Sequence, residues 1–202
     1  MPRIYVKCLP VGEFQENCYL VINEDAQACV IVDPGAEGER IIRAVGSLKP
    51  AAVLLTHAHW DHIGAVDAVC GHFAIPLYVH EADAPKLTDS VANVARQFGY
   101  EMTVATRPVT LRGGETLALA GMDIAVMHTP GHSAGSVCYL LPGGQGVLTG
   151  DTLFAHGYGR TDFADGSFHA LKESLRALFH ISPRQPAYPG HEETGEVGRA
   201  EG

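Results

Sequence analysis

Thr56-His57-Ala58-His59-Trp60-Asp61-His62 places four groups able to bind a metal within six residues, directly after the apolar run Ala51-Ala52-Val53-Leu54-Leu55. In an extended segment side chains alternate, so His57 and His59 point the same way. Asp61 and His62 fall where Gly64 and the Ala-Val-x-Ala-Val pattern after it mark the start of a helix. A loop that leaves a strand and enters a helix can aim the first pair at one cation and the second pair at a neighbour. Imidazole and carboxylate suit Zn, Fe or Mn, and no thiolate is present in the stretch to select a softer metal. Four unrelated surface polars would be an unusual concentration at this spot.

Three later positions share that chemistry. His132 lies in Thr-Pro-Gly-His-Ser-Ala-Gly, Asp151 in Leu-Thr-Gly-Asp-Thr and His191 in Tyr-Pro-Gly-His. In each, an apolar or aromatic stretch is followed by glycine and then the ligand, so the backbone can bend and bring the side chain in. Taken singly, Asp151 could cap a turn and His191 could be an exposed loop residue. Taken together, the seven groups predict His57, His59 and His132 on one cation, Asp61, His62 and His191 on a second, and Asp151 bridging them. Histidines 72, 80, 128, 156, 169 and 180 read as surface or packing residues, with His156 singled out because it follows Asp151 closely.

The frame around these residues is ordinary in size and composition. The chain has 202 residues, 46% hydrophobic and 18% charged, enough for a substantial core. Its formal charge of −9, without a basic run, disfavours a nucleic-acid partner or an anionic membrane surface. No apolar run approaches the roughly 20 residues of a membrane span, and residues 1–10 carry no signal core. Five widely spaced cysteines form no Cys-x-x-Cys and read as free thiols, mostly buried. A reducing, cytoplasmic setting is the expectation.

Strands are expected over residues 4–11, 17–22, 29–32, 51–55 and 77–79, and again over 116–119, 124–128, 136–141 and 146–148. Helices are expected over 39–48 and 63–70, over most of 81–99 as a cover for the sheet edge or the site, and from a Ser167 cap with Phe168, Leu171, Leu175 and Leu178 as the apolar face. Two halves that each run strands first and helix after predict an α/β fold: a four-layer αββα sandwich. In it two mixed sheets pack face to face with helices outside, as one domain over residues 1–194. The Gly- and charge-rich residues 195–202 are expected to fray.

With those elements in place the chain resembles the metallo-β-lactamase superfamily. The marks are Thr-His-Ala-His-Trp-Asp-His, the later Pro-Gly-His, Gly-Asp and Pro-Gly-His elements, and Asp33 in Val-Asp-Pro-Gly. The resemblance implies that Asp33 braces the ligand loop without touching metal. Phe14 to Leu20 (Phe-Gln-Glu-Asn-Cys-Tyr-Leu), Gly-Asp-Thr-Leu-Phe at 150–154 and Gly-Arg-Thr-Asp-Phe at 159–163 are similar to the short glyoxalase II-like, or hydroxyacylglutathione hydrolase-like, group. A true β-lactamase matches less well, because Asp151 stands where those enzymes lack a bridging carboxylate.

What this implies is a dinuclear hydrolase, with two divalent ions (Zn, with Fe or Mn as alternatives). It would cleave a small thioester such as S-lactoylglutathione, or a related acyl ester, by a metal-bridged hydroxide that Asp61 orients. Arg160 stands where the group places a basic residue facing the substrate carboxylate; an ion pair with Asp162 or Asp165 is the alternative for it. His156 is the other candidate substrate contact. Full-length glyoxalase II adds a helical C-terminal domain that supplies much of the glutathione contact, and this chain ends before one, which sets efficient use of a glutathione conjugate in question. Two rivals stand beside this reading. One is a mononuclear iron persulfide dioxygenase acting on glutathione persulfide through His57, His132 and Asp151; the other is a non-catalytic metal-binding homologue. The oligomeric state is not legible.

Overall fold

Alternation over residues 28–32 decides the layering. Val30 and Val32 face one way, toward residues of a second sheet, while Cys29 and Ile31 face the other way, toward helices. The computed structural model describes residues 2–198 and carries this pattern through two six-stranded sheets.

The first sheet runs in chain order: β1 (Ile4–Val11), β2 (Glu16–Asn23), β3 (Ala28–Val32), β4 (Lys49–Leu54), β5 (Leu77–His80) and β6 (Pro108–Leu111). Its first three strands are antiparallel and the rest parallel. Helix α1 (Gly38–Val45) makes the crossover to β4. The short helix α2 (Trp60–Ile63) and α3 (Val66–Phe73) make the next one. Parallel neighbours need such crossovers, which is why these helices lie on one face. The second sheet contains β7 (Thr116–Leu119), β8 (Met122–His128), β9 (Val137–Leu140), β10 (Val147–Gly150), β11 (Pro186–Pro189) and β12 (Gly195–Glu196), in the order β12-β11-β10-β9-β8-β7. Helix α4 (Phe168–Ile181) joins β10 to its parallel neighbour β11.

Three apolar layers follow. Tyr19, Val21, Val32 and Leu54 meet Ile124, Val126, Tyr139 and Leu148 between the sheets. Leu20, Ile31 and Val53 pack under Ile41, Val66 and Val69 of α1 and α3. Cys138 and Val147 pack under Leu171, Leu175 and Leu178 of α4. The arrangement is the expected αββα sandwich. Each fully buried Val, Leu or Ile contributes about 1.5–3 kcal/mol relative to exposure.

Several expectations are corrected. Residues 81–99 cover the site but are not mainly helical: they hold only two single-turn 3₁₀ segments, Ala84–Thr88 and Ala95–Phe98. Pro85 cannot donate, and Asp89 and Asn93 side chains take up the backbone N–H groups of Val91, Ala92 and Ala95, which competes with a helical ladder. Ser167 caps α4 as expected, its Oγ accepting from Ala170 N–H at 3.3 Å, but Phe168 is exposed and outside the apolar face. Residues 195–198 do not fray: Gly195 and Glu196 pair with β11 and Val197 is buried, while residues 199–202 lie outside the described residues. Among the described residues no helix is long and apolar enough to cross a membrane. Cys18, Cys29, Cys70 and Cys138 are buried free thiols, and Cys8 is an exposed one.

Candidate metal centre

All seven sequence-predicted ligands gather at one edge of the sandwich, four in the segment after β4, where Asp61 and His62 lie on α2, and three on the loops after β8, β10 and β11. The loop after β4 is fixed first. Asp33, at the end of β3, accepts from Thr56 N–H (2.7 Å) and from Thr56 Oγ1–H (2.6 Å). Its Oδ2 also lies 3.1 Å from His62 Nδ1. Asp33 thus holds this loop through three contacts, and His62 Nε2 is left pointing forward.

The remaining rings are oriented in the same manner. His57 Nδ1 lies 3.1 Å from Thr56 Oγ1, His132 Nδ1 lies 2.8 Å from the Arg160 carbonyl, and His191 Nδ1 lies 3.3 Å from the Phe14 carbonyl. An imidazole that donates from one nitrogen offers a lone pair from the other, the arrangement metal-binding histidines use. His59 Nδ1 and His132 Nε2 approach to 2.9 Å.

Ligand-type atoms of His57, His59 and His132 all fall within 4.8 Å of one another, as do those of Asp61, His62 and His191. Asp151 stands between the two groups: its Oδ1 is 3.5 Å from His62 Nε2, and its Oδ2 is 3.5 Å from His132 Nε2 and 3.8 Å from His191 Nε2. Asp61 Oδ2 lies 3.3 Å from His191 Nε2.

The chemistry of these atoms fits a divalent cation. His57 Nε2, His59 Nε2, His62 Nε2 and Asp151 Oδ1 are buried without a hydrogen-bond partner, a costly state unless something else satisfies them. Burial, and then the neighbouring histidines, push His57 and His59 well below the ordinary imidazole value, so both are neutral and have lone pairs to give. At the other group burial works against charge, yet Asp151, Asp61 and Asp33 hold His62 well above its ordinary value. Against the same burial, Asp61 and Asp151 raise His191. Asp61, opposed by burial, is lowered by His62 and His191.

Two glycines explain how the loops come so close. At Gly190 a Cβ would lie 2.3 Å from Asp151 Oδ1 and 2.7 Å from His62 Cε1; at Gly131 (φ +148°) it would lie 2.5 Å from the backbone of Leu171 in α4. Any side chain at Gly190 would displace a ligand, and any at Gly131 would lift the His132 loop off its supporting helix.

Three residues with a part in the centre carry no local sequence signal. Fully buried Asp83 accepts from Ala58 N–H (2.8 Å), Ser133 Oγ–H (2.8 Å) and Gly135 N–H (2.8 Å), which ties the loop carrying His57 and His59 to the loop carrying His132. Buried Lys86 pairs with Asp83 (3.0 Å) and Asp165 (2.6 Å) behind them. Glu16 is buried with both carboxylate oxygens unpartnered, 3.7 Å from His62 Nδ1. Burial pushes its carboxyl well above the usual range, and Asp33, Asp61 and Asp151 add to the push against His62.

The centre opens into a cleft of about 380 Å³ that Asp61, Asp151 and His191 line together with Phe14, Trp60, Phe98, Phe154 and Phe163. Arg160 lines it too, but its Nε and Nη2 are paired with Asp162 at 2.6 and 2.7 Å, the alternative weighed for it. His156 does not line the cleft; it is exposed and pairs with Glu193 at 3.0 Å.

Comparison with known proteins agrees with this geometry. A model of the metallo-beta-lactamase superfamily matches residues 11–190. The chain is 39% identical over 170 residues to a probable metallo-hydrolase, YqgX, of Bacillus subtilis, covering 83% of this chain and 80% of that one. It is 34% identical over 175 residues to the hydroxyacylglutathione hydrolase GloC of Haemophilus influenzae, covering 85% and 82%. Among solved structures, BLEG-1, described as a B3 metallo-beta-lactamase, superposes with a TM-score of 0.91 at 38% identity, covering 96% of this chain and 95% of its own. TTHA1623 in a di-iron-bound form superposes with a TM-score of 0.82 at 34% identity, covering 95% of each chain.

Proposed function

Since the chain belongs to the metallo-β-lactamase superfamily, we propose that it is a metal-dependent hydrolase that cleaves a thioester or related acyl ester at a pair of divalent ions. His57, His59 and His132 would hold one ion, Asp61, His62 and His191 the other, and Asp151 would belong to both. The observation that carries the reading is the Asp151 carboxylate, within 3.5–3.8 Å of histidine nitrogens from both groups. The di-iron form of a 34% identical relative supports a two-ion centre, and the relationship to GloC supports an acyl thioester.

Bound divalent ions would supply Lewis acidity, which lowers the pKa of water from about 15.7 to roughly 7 and polarises an acyl oxygen. The chain's own residues do the rest. Asp61 lines the cleft beside the centre and can take a hydrogen bond from an incoming water, which fixes its line of attack. The rings of Phe154, Phe163 and Trp60 keep bulk water off the reacting atoms. A thiolate leaves without needing a proton, so the reaction demands no separate general acid.

An iron dioxygenase that uses only His57, His132 and Asp151 would leave His59, His62 and His191 aimed at the same small space without a task, so the geometry favours the hydrolase. A second reading, lactam hydrolysis, is favoured by the likeness to BLEG-1. Metal analysis combined with a panel of S-lactoylglutathione, simple thioesters, a chromogenic lactam and glutathione persulfide decides among them. About two ions per chain and thioester turnover are expected; oxygen uptake with the persulfide, or turnover of the lactam alone, would overturn the thioesterase reading.

A further inference from the structure

Among the described residues nine large apolar side chains are exposed, and three of them, Phe14 (43%), Phe98 (41%) and Tyr100 (40%), gather around Trp60 beside the centre. Phe14 meets Trp60 and Phe98 edge-on at 5.3 Å each, Trp60 lies 5.5 Å from Phe98, and Tyr100 stacks on Trp60 at 4.8 Å. Exposed apolar surface concentrated at the mouth of a cleft marks a binding surface. The wall is also tied to the ligands. Trp60 sits between His59 and Asp61 in the chain, its N–H donates to the Asn93 carbonyl at 3.0 Å, and the Phe14 carbonyl is the partner of His191 Nδ1. A group resting on these rings is therefore held in fixed register with the reacting centre. Across the cleft, Phe163 packs on His59 at 4.7 Å.

The charges point the same way. Arg160 is the one arginine or lysine among the residues that line the cleft, and Asp162 occupies its guanidinium edge while the Phe163 ring lies under it at 4.8 Å. The other charged lining residues able to act on a substrate are carboxylates, Asp61 and Asp151, which belong to the centre itself. A glutathione moiety carries two carboxylates and would find no unpaired cation among the residues that line the cleft. A ligand cation would need open ring faces, whereas one face of Trp60 is covered by Tyr100.

We propose that the aromatic wall of Phe14, Trp60 and Phe98, with Tyr100 stacked on Trp60, is the specificity surface of the cleft. It selects substrates whose group beside the scissile acyl bond is uncharged and apolar, aliphatic or aromatic, over those built on a charged thiol such as glutathione, with its two carboxylates and one ammonium. The selection concerns the hydrolase site described above and rests on that reading for its chemistry, but binding tests it separately. Trp60 is the single tryptophan of the chain, so its fluorescence reports on the wall directly.

Two thioethers that cannot be hydrolysed, S-hexyl-N-acetylcysteamine and S-hexylglutathione, share the apolar tail and differ in charge. The metal-loaded protein is titrated with each while Trp60 emission is followed. The neutral compound should shift the emission and bind at least about tenfold tighter. Phe98→Ala, at an exposed position where truncation leaves the core intact, should weaken it about tenfold, with an unchanged melting temperature. S-methyl-N-acetylcysteamine should bind more weakly than the hexyl compound. Equal or tighter binding of the glutathione compound overturns the proposal, and so does a hexyl compound that leaves Trp60 unperturbed or ignores Phe98→Ala. The corresponding hexanoyl thioesters separate the two readings: selective binding without turnover would sink the hydrolase and leave the selection standing.

Discussion

The two halves of the candidate metal centre are built differently. His57, His59 and His132 are all buried, the rings of His57 and His59 are neutral, and their two loops are fastened together by Asp83 through three hydrogen bonds. In the other half only His62 is buried; the side chains of Asp61 and His191 are 18% and 23% exposed, and His191 arrives on the loop after β11. That loop is held from the opposite sheet, where Asn17 donates to the carbonyls of Pro189 and Glu192, and Tyr19 to that of Pro189. One half is anchored within the sandwich and the other is partly exposed at the cleft, which His59 and His132 of the first half also line.

The sharpest way to break this contrast is Asp151→Ala, which removes the carboxylate that both halves share. Turnover should fall more than about a hundredfold, and metal content should fall below two ions per chain; full activity would show that the halves do not act as a pair. Asp83→Asn tests the closed half alone. Loss of its charge should weaken the tighter of two metal-binding steps about 10- to 100-fold by calorimetry, with the other step little changed. If only the weaker step responds, the fastening role is misplaced. His191→Ala tests the open half, and about one ion per chain should remain tightly bound while activity falls about tenfold or more.

The smallest effect is a control at a residue that belongs to neither half. Asp67 on α3 accepts from Ala105 N–H, Thr106 N–H and Thr106 Oγ1–H, and these bonds overcome burial to hold its carboxyl below the ordinary range. A lowered folded value means that its stabilisation is present above the unfolded value near 3.9 and is lost as pH falls below that. Asp67→Asn should therefore lower the unfolding free energy slightly at neutral pH, by less than about 1 kcal/mol because the group is largely exposed. It should match the parent near pH 2 and leave metal content unchanged at neutral pH.

The contrast also explains what the sequence could and could not reveal. His57, His59, Asp61 and His62 are legible because local alternation and a strand-to-helix change act within a few residues. The strands around them are legible for the same reason, as Cys29 and Ile31 against Val30 and Val32 show. Asp83 is not legible: Ala58, Ser133 and Gly135 come to it from 25 to 52 residues away. Glu16 lies inside a stretch that marks the glyoxalase II-like group, yet nothing local says that its carboxyl is buried without a partner. Strands β6, β11 and β12 are short, and β6 and β11 begin with proline, so pairing with distant neighbours makes them strands where propensity does not. Over residues 81–99 local polar bonds prevail over helical spacing.

The bonds from Asn17 to the Pro189 loop join positions 172 residues apart. On a ribosome, the second strand is made early and must wait for β11 before it finds this partner. The buried histidine trio needs nothing beyond the Arg160 carbonyl and helix α4, which hold the His132 loop, so a nascent chain can form that half before residue 189 is made. The half facing the cleft can close only when the His191 loop arrives, which makes hydrolytic competence a late event in the life of each molecule.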